Sequence, residues 1–176
     1  IFNDLTHQGA LTGIRIEGPE NSVERRVNRL CKELSLLDNE FSILDSEQSN
    51  IFWDKTKNLE VFSKLKSNLL RIVVPISETL NVIQKLKAHE INYFLDWGGS
   101  LIWLQIENVN TKILKEIKDI TQKHLGYYTI IKIENDLKAT ADIFTIDPIK
   151  YKISEKIKKS FDPKRILNPG KMYSGI

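Results

Sequence analysis

At 176 residues, with 41% hydrophobic and 28% charged residues, the chain has the size and balance of a globular protein with its own core. Its one cysteine, Cys31, excludes an intrachain disulfide framework and a cysteine-based zinc site, and fits a reducing compartment. The net charge of +3 is uneven: from Pro148 onward eight Lys/Arg face two acids, giving +6 and leaving −3 for the preceding 147 residues.

No run approaches the roughly 18 apolar residues of a membrane-spanning helix. The start, Ile1-Phe2-Asn3-Asp4, has neither an initiator Met nor a signal-peptide layout, as expected of a fragment. The basic end suits an acidic partner surface, a membrane, nucleic acid or a cofactor phosphate. It also suits a merely solvated helix face.

Residues 10–18 alternate like a strand, and Pro19 fits the first turn of a helix. Val23, Val27, Leu30, Cys31 and Leu34 form its apolar stripe. Phe41 to Leu44 reads as a second short strand. Asp45 with Gln48 predicts a capping box and a helix through Lys57. Leu69 to Ile76 is an apolar, β-branched strand. Ser77 is placed to cap a helix with Leu80, Ile83 and Leu86 inward.

Ile91 to Trp97 and Leu101 to Glu107 read as a hairpin around Gly98-Gly99. Asn110 caps a helix with Ile113, Leu114, Ile117 and Ile120 on one face, and Gly126 sits where a C-terminal glycine belongs. Tyr127 to Glu134 is the last strand, and residues 135–147 look irregular. Asp147-Pro148 opens a final helix with Ile149, Ile153, Ile157 and Phe161 at fourfold spacing.

Residues 69–134 thus run β-α-β-β-α-β, the ferredoxin-like order. The expected fold class is α+β: a mostly antiparallel ferredoxin-like sheet with helices on one face. A leading βαβ element extends it, and a C-terminal helix and tail follow. Residues 1–147 then form the sheet domain and residues 148–176 a docking helix and tail.

No self-contained active site is visible. His7, His89 and His124 lack ligand spacing, so no metal site is expected, and His124 suits a helix C-terminus. Cys31 reads as a small core hydrophobe without a base partner. Gly98-Gly99 lacks the phosphate-loop patterns. Neither Leu69 to Val74 nor Leu101 to Ile106 carries the aromatic pattern of an RNA-binding strand, which argues against nucleic acid.

What remains is the end of the chain, Phe161-Asp162-Pro163-Lys164-Arg165-Ile166-Leu167-Asn168-Pro169-Gly170-Lys171-Met172-Tyr173. Chain ends usually fray. Here Asp162-Pro163 stops a helix, and Asn168-Pro169 forces an extended step. Gly170 admits close approach, and Lys171 adds charge. The segment is built either to pack on its own domain or to dock elsewhere.

That tail resembles the terminal F-D-P-x-x-I-L/F-N-P-G-K/R-M-Y of FAD-linked oxidases of the vanillyl-alcohol oxidase type. Leu95-Asp96-Trp97-Gly98-Gly99 and Leu70-Arg71-Ile72-Val73-Val74-Pro75 are similar to the D-W-G-G and W-R-x-x-x-P stretches of FAD-binding subunits of glycolate oxidases. The likeness is weak but collinear over about residues 10–176. Where that family has G-H-A-T-L-F, this chain reads Leu137-Lys138-Ala139-Thr140-Ala141-Asp142-Ile143-Phe144.

The resemblance implies an oxidoreductase part: a cap domain over the isoalloxazine of FAD, with FAD held mainly by an N-terminal domain absent from this chain. It implies that Asn168, Pro169, Gly170 and Lys171 lie near the flavin, and that Arg71 faces the carboxylate of a small 2-hydroxy acid such as glycolate. An edge salt bridge is the plainer role for Arg71. The resemblance also implies a cytoplasmic protein, peripheral at the inner membrane through other glycolate oxidase subunits. The rivals are a non-enzymatic ligand-binding or interaction module, and a separate small protein docking by its tail to a flavin subunit.

Overall fold

The structure, a computed structural model, describes residues 11–36, 41–62, 68–138, 141–145 and 147–169. The chain divides into two compact units, Ile1–Ser63 and Lys64–Ile176.

The first unit carries two helices. Helix α1 (Glu20–Ser35) follows Pro19, and Val23, Val27, Leu30, Cys31 and Leu34 form its half-buried stripe. Helix α2 (Ser46–Lys57) opens on the expected capping box: Asp45 Oδ1 accepts the Gln48 N–H at 2.8 Å, and Gln48 Oε1 accepts the Asp45 N–H. Neither 11–18 nor 41–44 forms a strand. The leading βαβ element is therefore corrected to a helix between two non-strand segments. Alternation makes a strand only when a partner supplies the ladder hydrogen bonds. Among the described residues these segments pair with none, and Leu11, Ile14, Phe41 and Ile43 stay exposed.

The second unit has the expected α+β class and order: β1 (Asn68–Val73), α3 (Thr79–Leu86), β2 (Ile91–Asp96), β3 (Leu101–Ile106), α4 (Thr111–Lys123) and β4 (Tyr127–Lys132). The four strands lie in the order β2-β3-β1-β4, each antiparallel to its neighbours. This is the sheet of a split βαβ pair. The short α5 (Asn135–Lys138) follows β4. Residues 143–145 then return along its edge through Ile130 N–H to Ile143 O and Thr145 N–H to Tyr128 O.

Alternation assigns the two sheet faces. Leu70, Ile72, Ile102, Leu104, Ile106, Tyr128 and Ile130 join Val82, Ile83 and Leu86 of α3 and Leu114 and Ile117 of α4 in one core. Fully burying each such side chain is worth about 1.5–3 kcal/mol. Asn68 ties the strand ends together: its Nδ2 donates to the Ile106 and Glu107 carbonyls, and its Oδ1 accepts the Glu134 N–H at 2.9 Å.

Two expectations shift in detail. Ser77 does not cap α3. A 3-10 turn, Ile76–Glu78, precedes the helix, which begins at Thr79 and buries Thr79, Val82, Ile83 and Leu86. The turn rotates the helix so that Leu80 points outward, 69% exposed. At the end of α4 the left-handed residue is Leu125 (φ 58) and not Gly126. Gly126 is needed for closeness: a Cβ there would lie 2.3 Å from Val74 Cγ1 and 2.6 Å from the Val73 oxygen.

Helix α6 (Pro148–Phe161) starts as expected, with Asp147 Oδ1 accepting the Ile149 and Lys150 N–H groups. Its apolar row Ile149, Ile153, Ile157 and Phe161 is exposed.

Candidate functional site

Arg71 lies mid-strand on the sheet face opposite α3 and α4. A register row crosses the sheet there: Phe94 opposite Trp103, Trp103 opposite Arg71, and Arg71 opposite Thr129. Phe94 and Trp103 stack, with ring centroids 6.3 Å apart and planes inclined by 21°. Neither Trp103 nor Trp97 enters the core. Trp97 belongs to the β2–β3 turn, and the Arg71 Cζ lies 4.9 Å from its ring centroid.

The turn is shaped by polar contacts. Asp96 Oδ1 accepts the Trp97 N–H at 2.7 Å, Ser100 Oγ donates to the Trp97 carbonyl, and Thr79 Oγ1 donates to the Gly99 carbonyl at 2.7 Å. Trp97, Gly98 and Gly99 all have positive φ (53, 64 and 104). The glycines accept this without strain; the tryptophan does not.

Arg71 is half-buried, and its Nε is shut off from solvent with no hydrogen-bond partner among the described residues. A buried N–H of this kind is costly unless an acceptor reaches it. No ion pair joins Arg71 to an acid among the described residues. A planar, permanently charged guanidinium with an unfilled donor suits a carboxylate.

The tail is a second, separate element. Asp162 is only 6% exposed at the end of α6. Its Oδ2 lies 2.7 Å from Lys158 Nζ and accepts the Leu167 N–H at 2.9 Å; its Oδ1 accepts the Ile166 N–H at 3.1 Å. Lys158 also donates to the Leu167 carbonyl. The lysine and these N–H groups hold the carboxyl down at about 2, against the pull of desolvation. The result is a closed loop that delivers Asn168 in a left-handed conformation (φ 45), followed by Pro169. Gly170 and Lys171 lie outside the described residues, as does His7. Among the described residues no hydrogen bond or ion pair links Arg71 to Asn168 or Pro169.

The remaining candidates are structural. His124 caps the C-terminal end of α4, with Nδ1 2.5 Å from Glu78 Oε2 and Nε2 2.9 Å from Lys85 Nζ. His124, followed by Asn81, lowers the Glu78 pKa. His89 faces Glu116 at 3.4 Å. A cleft beside α4 is lined by Lys115, Lys118, Tyr128 and Asp142 among others. Its one unusual group is Tyr128, pushed up to about 12 by burial and by Asp142, with its hydroxyl donating to the Asp142 carbonyl. Such a phenol is no base at neutral pH. Among the described residues no group of three or more His, Cys, Asp or Glu is placed to hold a metal ion, and no helix is long and apolar enough to cross a membrane.

Fold and site together define an α+β sheet domain with an arginine–aromatic face and a structured, basic C-terminal loop. A family model described as FAD linked oxidases, C-terminal domain, matches residues 144–172, which span α6 and the loop. The match supports an FAD-linked oxidase C-terminal domain, an oxidoreductase part whose family binds FAD with a partner N-terminal domain. No curated protein matches the chain.

The residues present fit FAD in part. The loop to Pro169 and the Trp97 indole are each exposed and open to an outside group. Among the described residues no glycine-rich loop or helix N-terminus forms a cradle for its pyrophosphate. The sequence singled out Arg71 and the tail as candidates. It missed the Asp162 lock and the position of Trp97 over Arg71; only the D-W-G-G pattern hinted at the latter.

Proposed function

We propose that this chain is the cap and substrate domain of an FAD-dependent 2-hydroxy acid oxidase or dehydrogenase of the glycolate oxidase kind. The observation that carries this reading is Arg71, a guanidinium with an unfilled buried donor beside an aromatic row, in a chain whose end matches the FAD-linked oxidases. Residues 1–147 act as the cap, and residues 148–176 return to the flavin domain. The exposed row of α6 supports that docking role.

FAD, when bound, supplies the acceptor for the hydride leaving C2 of the hydroxy acid. The chain's own residues bind and orient. Arg71 takes the substrate carboxylate in the plane of its guanidinium, which fixes the direction in which C2 presents its hydrogen. The Phe94–Trp103 stack walls one side of that site. Asn168, Pro169, Gly170 and Lys171 lie against the flavin. The assembly is cytoplasmic, and reaches the inner membrane only through partner subunits.

The test is reconstitution. The chain is mixed with a separately expressed FAD-binding domain, and flavin fluorescence and glycolate-dependent flavin reduction are followed. Quenching and bleaching are expected, with bleaching lost in Arg71→Gln. Absence of any flavin response overturns the reading and favours a non-enzymatic ligand-binding or interaction module.

A further inference from the structure

We infer that Trp97 is a positioning residue for Arg71, and that the β2–β3 turn is shaped to hold its indole over the guanidinium. This deepens the proposed function, resting on the carboxylate role of Arg71, and names the group that selects a small planar carboxylate there.

The backbone points to it first. A turn joining β2 to β3 needs residues that tolerate positive φ, and Gly98 and Gly99 supply them. Trp97 adds a third such angle with one of the bulkiest side chains, at a conformation L-residues rarely adopt. Strain of this kind persists only where the surroundings impose it, and it gathers at ligand clamps. Here Asp96, Ser100 and Thr79 impose it through the three hydrogen bonds already described.

Burial does not explain the residue. Trp97 is 57% exposed, so it adds little to the core. Its contact is the Arg71 guanidinium, 4.9 Å from Cζ to ring centroid. Cation–π attraction works through the ring face and leaves the N–H edges free. Arg71 is thus fixed without spending its donors, and its Nε is left without an acceptor. A carboxylate that enters in the guanidinium plane is taken by its terminal N–H groups. The indole on one side and the Phe94–Trp103 stack along the same row favour a short, flat acid over a branched one.

The experiment uses this chain with Arg71 Nε–Hε observed by NMR and glycolate as the probe. Trp97→Gly is the informative variant, because glycine accepts the φ of 53 and keeps the turn. The Arg71 Hε signal is expected to lose its ring-current shift in Trp97→Gly and to keep most of it in Trp97→Phe. Glycolate affinity is expected to fall about fivefold in Trp97→Gly, as suits a partly exposed cation–π pair, and to recover in Trp97→Phe. An unchanged Hε signal together with unchanged affinity in Trp97→Gly overturns the proposal. A shifted Hε signal with no glycolate binding by the wild-type chain supports the positioning and overturns the 2-hydroxy acid reading. Glycolate binding that Arg71→Gln leaves intact overturns the assignment of the carboxylate to this arginine.

Discussion

Lys158 and Asp162, one turn apart at the end of α6, meet at 2.7 Å and together close the loop that follows. The lysine serves both polarities of that loop, pairing with the Asp162 carboxylate and donating to the Leu167 carbonyl. The carboxylate in turn takes the Ile166 and Leu167 N–H groups. The loop is therefore built by the chain itself up to Asn168, and whatever Asn168 meets, it meets preformed.

The lock has a defined pH dependence. Asp162 titrates at about 2 in the folded chain, below the ordinary carboxylate value near 3.9. Its contribution is therefore complete above that ordinary value and is lost as pH falls from about 4 through about 2. Amide exchange at Ile166 and Leu167 should accelerate over that window. Asp162→Ala should expose both amides at neutral pH and abolish the window.

Gly126 and Leu125 should respond in opposite senses. Gly126→Ala drives a methyl into Val74 and the Val73 carbonyl, and should destabilise by about 1–3 kcal/mol. Leu125→Gly removes a left-handed leucine that is mostly exposed, and should stabilise by up to about 1 kcal/mol. Denaturant unfolding of the two variants measures both.

Asn68→Ala should cost about 1–2 kcal/mol, because it leaves the part-buried Glu134 N–H without its acceptor and removes two donations to β3 and its following residue. The loss should appear in the denaturation midpoint, with exchange fastest at the Ile106 and Glu134 ends of the sheet.

Asn168→Ala should weaken flavin retention in the reconstituted assembly while leaving the sheet domain's unfolding unchanged. FAD content after gel filtration, set beside the unfolding midpoint, checks both halves.

The sheet unit was readable because its signals are local. The Asn110 cap, which accepts the Ile113 N–H, the alternation in β1 and the apolar face of α4 each sit within a few residues of the element they define. Residues 11–18 misled because alternation says nothing about whether a partner strand exists. Leu80 misled because a 3-10 turn changed the phase of α3. Asn68 and Asp162 looked like ordinary polar residues, since their worth lies in partners brought close only by folding. Arg71 was singled out only by the resemblance of its strand to a W-R-x-x-x-P stretch. The placement of Trp97 over Arg71 was only hinted at by D-W-G-G, because it depends on a backbone angle that no sequence period encodes.

The central claim is that this chain forms part of a flavin site. The most direct measurement is the flavin content of the native assembly, isolated through this chain and denatured to release any FAD. Stoichiometric FAD, bleached on adding glycolate, is expected. A native assembly that is free of flavin would contradict the claim.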